Sequence, residues 1–316
     1  MLAKKSISFK LSVIILCVLF GISAHMGTVY VLAQNAFPFY DLQPHELVLR
    51  SQFYTTYSSS SDERKNNIFI ASKSLDNTFV DVGGEFSFNY TVGPRTQKRG
   101  YQNAKIIVNG EFVEGVGGGV CQVSTTLYNA VLIAGLTITE YHPHSLQVGY
   151  VSPSFDAMVN SGSADLRFVN NTHNPIILKV TADGQRLTVS VYGEPSEIKY
   201  IRKSVIKEEI PAPEEQIVYD DDNEYPDLYE GEYNVVRYSK NGLKSEGYLV
   251  ETKNGVEICC KKIRSDKYSA IRGLIVYGRA VRPEEQPVEQ EEQILTDKIM
   301  EKLVKYKKYF DKYEFL

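Results

Sequence analysis

The chain has 316 residues, 43% of them hydrophobic and 23% charged, with a formal net charge of -4. That is length for two moderate domains plus tails, and the composition is ordinary for a globular protein. The weakly acidic balance excludes a general pull toward nucleic acid, and no nucleic-acid partner is expected. Lys4, Lys5 and Lys10 precede an apolar run from Leu11 to Ala33 broken only by the titratable His25. The run is long enough to span a bilayer, and the lysines predict a cytoplasmic N-terminus with an exported remainder. Residues 1–33 are therefore expected to anchor extracytoplasmic domains in the membrane. Ser23, Ala24, Gly27 and Ala33 keep a cleaved signal, and hence a secreted protein, as the alternative.

Residues 34–50 read as a tether into a first globular region, 51–198. There Ser61 or Asp62 caps a helix over residues 63–75, in which Ile68, Ala71, Ser72 and Leu75 keep helical spacing. Val82-Gly83-Gly84 reads as a turn before a short strand that puts Phe86 and Phe88 on one face. Asn109-Gly110 joins strands at Ala104 to Val108 and Glu111 to Val113 as a two-residue hairpin. The hairpin leads into Gly115-Val116-Gly117-Gly118-Gly119-Val120-Cys121. From Gln122 to Leu136, Val123, Leu127, Ala130, Val131 and Ala134 share one helical face, and Gly135 is a C-terminal breaker. Thr137 to Tyr141 reads as a strand delivering His142-Pro143-His144-Ser145. Three more strands follow at Leu166 to Phe168, Pro175 to Thr181 and Arg186 to Tyr192, with turns at Asn170-Asn171-Thr172 and Asp183-Gly184. The expected fold class is α+β, an antiparallel sheet packed on a buried helix, followed by a small all-β domain.

Residues 199–230 read as an acidic, proline-containing linker, with Glu208, Glu209, Pro211, Pro213 and Asp220-Asp221-Asp222 among them. Residues 231–282 alternate in strand fashion about a turn at Asn241-Gly242, as a module of three or four strands. Residues 283–316 form a Pro/Glu/Gln-rich connector and an amphipathic helix from Ile294 to Phe310. Its Leu295, Ile299, Leu303 and Phe310 lie near one face, expected to pack on a core or self-associate.

The four cysteines, Cys17, Cys121, Cys259 and Cys260, form no disulfide framework. Cys17 lies in the apolar run, and strand alternation points Cys259 and Cys260 to opposite faces. Cys121 is thus expected as a free thiol. It stands at a helix N-terminus, near about +0.5 of dipole charge, a position that favours the thiolate. With His142 and His144 downstream, it is a candidate Cys-His nucleophile.

Blocks in one order carry a resemblance. They are Ser87-Phe88-Asn89, Val92-Gly93-Pro94-Arg95-Thr96, Gly100-Tyr101, the run from Gly117 to Asn129, His142-Pro143-His144-Ser145, Asp156-Ala157, and Asp165-Leu166 with Asn170-Asn171-Thr172. Over about residues 50–195 they resemble the VanW-like family, which is named for glycopeptide-antibiotic resistance clusters and associated with the cell envelope, mostly of Gram-positive bacteria. The resemblance implies an extracytoplasmic envelope protein and brings no settled activity. The small β region resembles the five-glycine accessory domain, for which binding of cell-wall aminosugars is proposed; Gly231 and Gly242 fit it. The chain departs from the family at Ser152-Pro153-Ser154-Phe155, where relatives carry a Pro-then-Gly turn before the Asp-Ala pair.

Two readings of the site stand. In one, Cys121 is the nucleophile, His142 or His144 the base and Asp156 the orienter. Alternation puts both histidines on one strand face, Pro143 disturbs it, and His144 is the preferred partner. Gly117, Gly118, Gly119, Gln122 and Ser124 would then stabilise an oxyanion, and Arg95 joins the binding set. The substrate would be a peptidoglycan stem peptide or related amide, hydrolysed or transferred through a thioester. In the other reading Cys121 is a small buried hydrophobe and the glycines let the helix pack close on the sheet. The protein is then a non-catalytic envelope module that binds cell-wall peptide or glycan, or a partner protein. Zinc on Cys121, His142 and His144 is a further arrangement, but three ligands at this spacing match no standard motif, so no metal and no cofactor is expected.

Overall fold

A computed structural model describes residues 47–108, 110–282 and 295–305 of the protein. The expected membrane segment, 1–33, lies outside the described residues, and no helix among those described is long and apolar enough to cross a membrane. The tether ends earlier than expected, because strand β1 (Val48–Thr56) begins inside it.

Helix α1 (Asp62–Leu75) starts where the sequence places it. Ser61 is the N-cap, its side chain accepting from the Arg64 N–H, with Asp62 and Glu63 in the first turn where the helix dipole favours acids. Its buried stripe of Ile68, Ala71, Ser72 and Leu75 is the one the periodicity predicts. Strand β2 (Thr78–Val80) follows. Strand β3 (Glu85–Ser87) is shorter than expected, because Ser87 caps a short helix, α2 (Phe88–Val92), by accepting from the Tyr90 N–H. Phe86 therefore stacks on Phe168, ring centroids 4.7 Å apart, while Phe88 is buried from the helix.

Strands β4 (Asn103–Val108) and β5 (Glu111–Val116) pair antiparallel with Val108 opposite Glu111, the predicted hairpin. Helix α3 (Val120–Ile133) comes next and is buried on nearly every side, down to Thr125, Thr126 and Asn129. A helix covered all round is a core element. It packs on β1 and on β9 (Arg186–Gly193), and Gly135, at φ 75°, ends it as expected.

Strands β6 (Thr137–Glu140), β7 (Arg167–Val169) and β8 (Ile176–Ala182) complete the first region. One sheet runs β1-β9-β8-β2 and a smaller one β3-β7-β6, all antiparallel. Ile176 and Leu178 of β8 and Leu187, Val189 and Val191 of β9 are fully buried under α3 and α1. Each such side chain contributes roughly 1.5–3 kcal/mol of burial. The architecture is α+β with an all-β C-terminal region, the class read from the sequence.

The segment expected as an acidic linker, 199–230, holds strands instead. β10 (Ile198–Ile210) pairs along its length with β13 (Gly242–Lys253), which pairs in turn with β14 (Val256–Tyr268). β11 (Gln216–Tyr219) runs parallel to β15 (Leu274–Tyr277), whose other neighbour is β12 (Tyr233–Arg237). The acidic side chains of β10 face solvent or cross-strand lysines, as Glu208 does with Lys244 at 2.7 Å, so their charge coexists with a ladder. Residues 295–305 are helical, with Leu295, Ile299 and Leu303 exposed; no core receives them among the described residues.

Candidate active site

The glycine loop presents Cys121 at the second position of α3. Gly119 caps the helix at φ 106°, in the left-handed region that L side chains rarely enter. Gly118 lies so close to β4 that a Cβ there would stand 2.7 Å from the Lys105 carbonyl oxygen. The first-turn N–H groups of Val120 and Gln122 are taken by the Gly117 and Gly119 carbonyls, at 3.1 and 3.0 Å. The Cys121 N–H belongs to the same first turn, where a helix has no acceptor of its own to offer. Cys121 is half-buried and free, and its Sγ lies 3.4 Å from the Val159 carbonyl oxygen, to which the thiol donates.

His144 and Asp156 complete the centre. Both are buried. Asp156 Oδ2 accepts from the His144 main-chain N–H at 2.6 Å and lies 2.8 Å from its Nδ1. With Nδ1 committed to Asp156, Nε2 is the ring nitrogen left for Cys121, and the thiol and the ring shift each other's protonation. Burial pushes the Cys121 thiol up, but the hydrogen bond and charge of His144, the Val159 backbone and the Arg95 charge leave it below its ordinary value. Burial pulls His144 down, yet its bonds to Asp156 and Cys121 and their charges carry it up to about 9. Burial also raises Asp156, and it is outweighed by His144, Arg264 and Tyr268, so the carboxyl stays below its usual range. The directions of the three shifts favour a thiolate, an imidazolium and a carboxylate.

Three further residues surround the sulfur. The Arg95 guanidinium is part-buried, reaches Asn89 Oδ1 at 2.6 Å and interacts with the Cys121 charge. Arg64 is held by Ser60 Oγ and Gln122 Oε1, both at 2.8 Å, and also feels Cys121. Burial, and next the Cys121 charge, raise the Tyr150 hydroxyl, which reaches the Thr125 side chain. Arg64 and Tyr150 were not legible as site residues: one lies on a helix read for its apolar stripe, the other in an irregular loop. A groove of about 1030 Å³, lined by Ser60, Gln97, Tyr101, Gln102 and Lys105, shares Arg64 with this centre.

Other candidates fall elsewhere. His142 turns to Glu140, with Nε2 2.9 Å from Oε1, at a half-exposed surface, which also removes the zinc arrangement. Gln122 points away from the thiol: its Nε2 donates to Thr55 Oγ1 and the Thr56 carbonyl, both at 2.9 Å, and its Oε1 accepts from Arg64. Ser124 donates to the Ala157 carbonyl at 2.6 Å. Both are buried ties between α3 and its neighbours, so neither is free to serve an oxyanion. The segment before Asp156 turns without a glycine, because Ser154 itself takes φ 62°.

Fold and site together define a two-domain protein whose first domain carries a Cys-His-Asp constellation. Residues 63–192 match the family described as VanW like protein, and residues 201–280 match the G5 domain. The chain thus resembles a VanW-like domain followed by a G5 domain, and the second match starts at 201 rather than the expected 231. Among curated relatives, the uncharacterized protein YoaR of Bacillus subtilis is 45% identical over 141 residues, 45% of this chain and 46% of its own length. The vancomycin B-type resistance protein VanW of Enterococcus faecalis is 26% identical over 154 residues, 44% of this chain and 56% of its own length. The chain thus spans about half the length of these relatives. Two solved structures are similar over about a quarter of the chain. The G5 domain of an IgA1 protease is 20% identical, with 26% of this chain and 90% of that one covered, TM-score 0.17. The G5 domain of HP0197 is 23% identical, with 26% and 100% covered, TM-score 0.14.

Proposed function

We propose that Cys121, His144 and Asp156 make this protein a thiol acyl-transfer enzyme of the cell envelope that acts on amide bonds of peptidoglycan peptides. The observation that carries this reading is the buried Asp156–His144 hydrogen bond, with the ring coupled to Cys121 at the start of a buried helix. A base oriented by a third group and facing a nucleophile is the arrangement that covalent catalysis requires. The thiolate attacks the amide carbonyl and a C–S bond forms. The oxyanion draws on the Cys121 N–H and the positive field of the helix start and Arg95. His144 then gives its Nε2 proton to the leaving amine as the C–N bond breaks. Water or an incoming amine, deprotonated by the same nitrogen, releases the thioester as acid or new amide. The groove beside Arg64 would hold the flanking peptide or glycan, and residues 1–33 would anchor the protein on the extracytoplasmic side.

The test is acid-quenched incubation of wild type and Cys121→Ala with stem peptides, read by intact mass. The expected result is an acyl adduct on Cys121 in the wild type and none in the variant. A wild-type thiol that titrates at or above about 8.5, the free value, sinks the reading. The alternative, a non-catalytic module binding wall material or a protein partner, draws on the Cys121 thiol already being tied to Val159. It is favoured if Cys121→Ala folds and keeps the envelope phenotype.

A further inference from the structure

We propose that the G5 domain completes the candidate catalytic centre: Arg264 and Tyr268 of β14 are positioning residues that hold the Asp156 carboxylate against His144. The inference rests on the triad proposed above and adds a role for the second domain that wall binding does not require.

The contacts converge on one short segment. Tyr268 Oη donates to Asp156 Oδ1 at 2.5 Å and accepts from the Ser154 N–H at 2.8 Å. Arg264 donates to the Asp156 main-chain carbonyl at 2.7 Å and its guanidinium lies 3.6 Å from Oδ1. Asp266, two residues on, takes the other face of that guanidinium at 2.7 and 3.1 Å. The Arg264 guanidinium also sits over the rings of Tyr141, at 4.4 Å, and Tyr128 of α3, at 5.6 Å. Ser154 bonds Ser245 of β13, hydroxyl to hydroxyl, at 2.7 Å, and Ser204 of β10 donates to the Pro153 carbonyl at 2.7 Å. Arg264, Asp266, Tyr268 and Ser245 are all buried.

The two carboxylate oxygens are thereby divided between domains. Oδ2 serves His144 and Oδ1 faces β14. A carboxylate this deep stays ionised only with donors and a cation around it. Its charged neighbours are His144 from its own domain and Arg264 and Asp266 from the other; those around Cys121 are His144, Arg95, Arg64 and the Tyr150 hydroxyl. Removing Arg264 leaves Asp156 and Asp266 as two buried carboxylates with, among the described residues, His144 as the one cation between them, which pushes Asp156 toward its neutral form. His144 then loses its counter-charge, and the thiolate loses the imidazolium. Removing the Asp266 charge instead frees Arg264 for Asp156 and acts in the opposite sense.

The experiment is iodoacetamide alkylation of the full chain across pH, followed on the Cys121 peptide by mass spectrometry. Arg264→Met is expected to move the midpoint up by about one pH unit, Arg264→Lys to restore part of it, and Asp266→Asn to move it down or leave it in place. Tyr268→Phe, which alters a single oxygen, is expected to fold and to lower kcat with little change in KM. Should Arg264→Met not fold, Tyr268→Phe and Asp266→Asn decide. A wild-type midpoint well below 8.5 that folded variants leave unmoved, with an unchanged kcat in Tyr268→Phe, overturns this inference and spares the triad. A wild-type midpoint at or above about 8.5 removes the triad itself.

Discussion

A single oxygen of Asp156 holds His144 twice, through its main-chain N–H at 2.6 Å and its ring Nδ1 at 2.8 Å. Backbone and ring are fixed by one acceptor, so the tautomer with the proton on Nδ1 is set by the same contact that places the loop. Asparagine cannot reproduce the charge. Its amide oxygen in the Oδ2 place would still accept from both N–H groups, but the imidazolium loses its counter-charge and the NH2 group meets the Tyr268 hydroxyl and the Arg264 guanidinium. Asp156→Asn is expected to lose about 10²-fold or more in acylation rate. An acylation rate within tenfold of wild type counts against the orienting role.

The two histidines separate cleanly. His142 is half-exposed and pairs with Glu140 at the surface, where such ion pairs contribute about 0–1 kcal/mol. His142→Ala should leave Cys121 alkylation kinetics unchanged and shift the melting temperature little. His144→Ala should take the thiol back up toward its free value. Equal effects from the two variants contradict the assignment.

The pH profile follows from the directions of the shifts. His144 is raised from 6.5 to about 9 in the folded protein, so its contribution to stability is whole below 6.5 and fades as pH rises through about 9. Cys121 is lowered, so its contribution is present above its unfolded value and fades as pH falls through the folded one. The ion pair exists between these limits and titrates as a unit. Acylation should be bell-shaped in pH, with an alkaline limb near 9 and an acid limb below about 8.5. A single rising limb centred on the free-thiol value would contradict it.

Gln122 should matter for stability and not for chemistry. Truncating it in Gln122→Ala takes a donor from the Thr56 carbonyl and one of two partners each from the Thr55 hydroxyl and Arg64, which keep Thr126 and Ser60. The expected cost is about 1–3 kcal/mol in denaturant unfolding, with the Cys121 alkylation midpoint of the folded fraction unmoved. A raised midpoint without lost stability would return Gln122 to the oxyanion site.

Gly247 tests the seam between the domains. A Cβ there would meet the Ser154 carbonyl oxygen at 2.8 Å and Arg264 Cγ at 3.0 Å. Gly247→Ala is expected to destabilise by about 1–3 kcal/mol and to disturb Cys121 alkylation although it lies outside the VanW-like domain. A neutral effect on both readouts would mean that the seam is loose.

The parts legible in the sequence share local causes. The helix that bears Cys121 announces itself through its apolar spacing and the flanking Gly119 and Gly135, and the hairpin through its Asn-Gly pair. Between His142 and His144 the sequence discriminates little, because Pro143 breaks the alternation that would orient them. Gln122 and Ser124 sit beside the thiol in sequence, yet a helix turns consecutive residues to different sides, so proximity misassigned them. β10 reads as linker because Glu208 and Glu209 dominate its end, while its partner β13 lies far along the chain. Arg264 and Tyr268 had no local signal at all: their meaning comes from a carboxylate in another domain.

That separation bears on how the protein comes to be reactive. The Tyr268–Asp156 bond closes across 112 residues, and contacts of such sequence distance form late because the loop they close is costly to order. Cys121, His144 and Asp156 are all present in the chain before β14, and the last of them is latched only when the final long strand settles. Reactivity of the thiol is thus tied to completion of the whole fold, so a half-folded chain would carry a quiet cysteine.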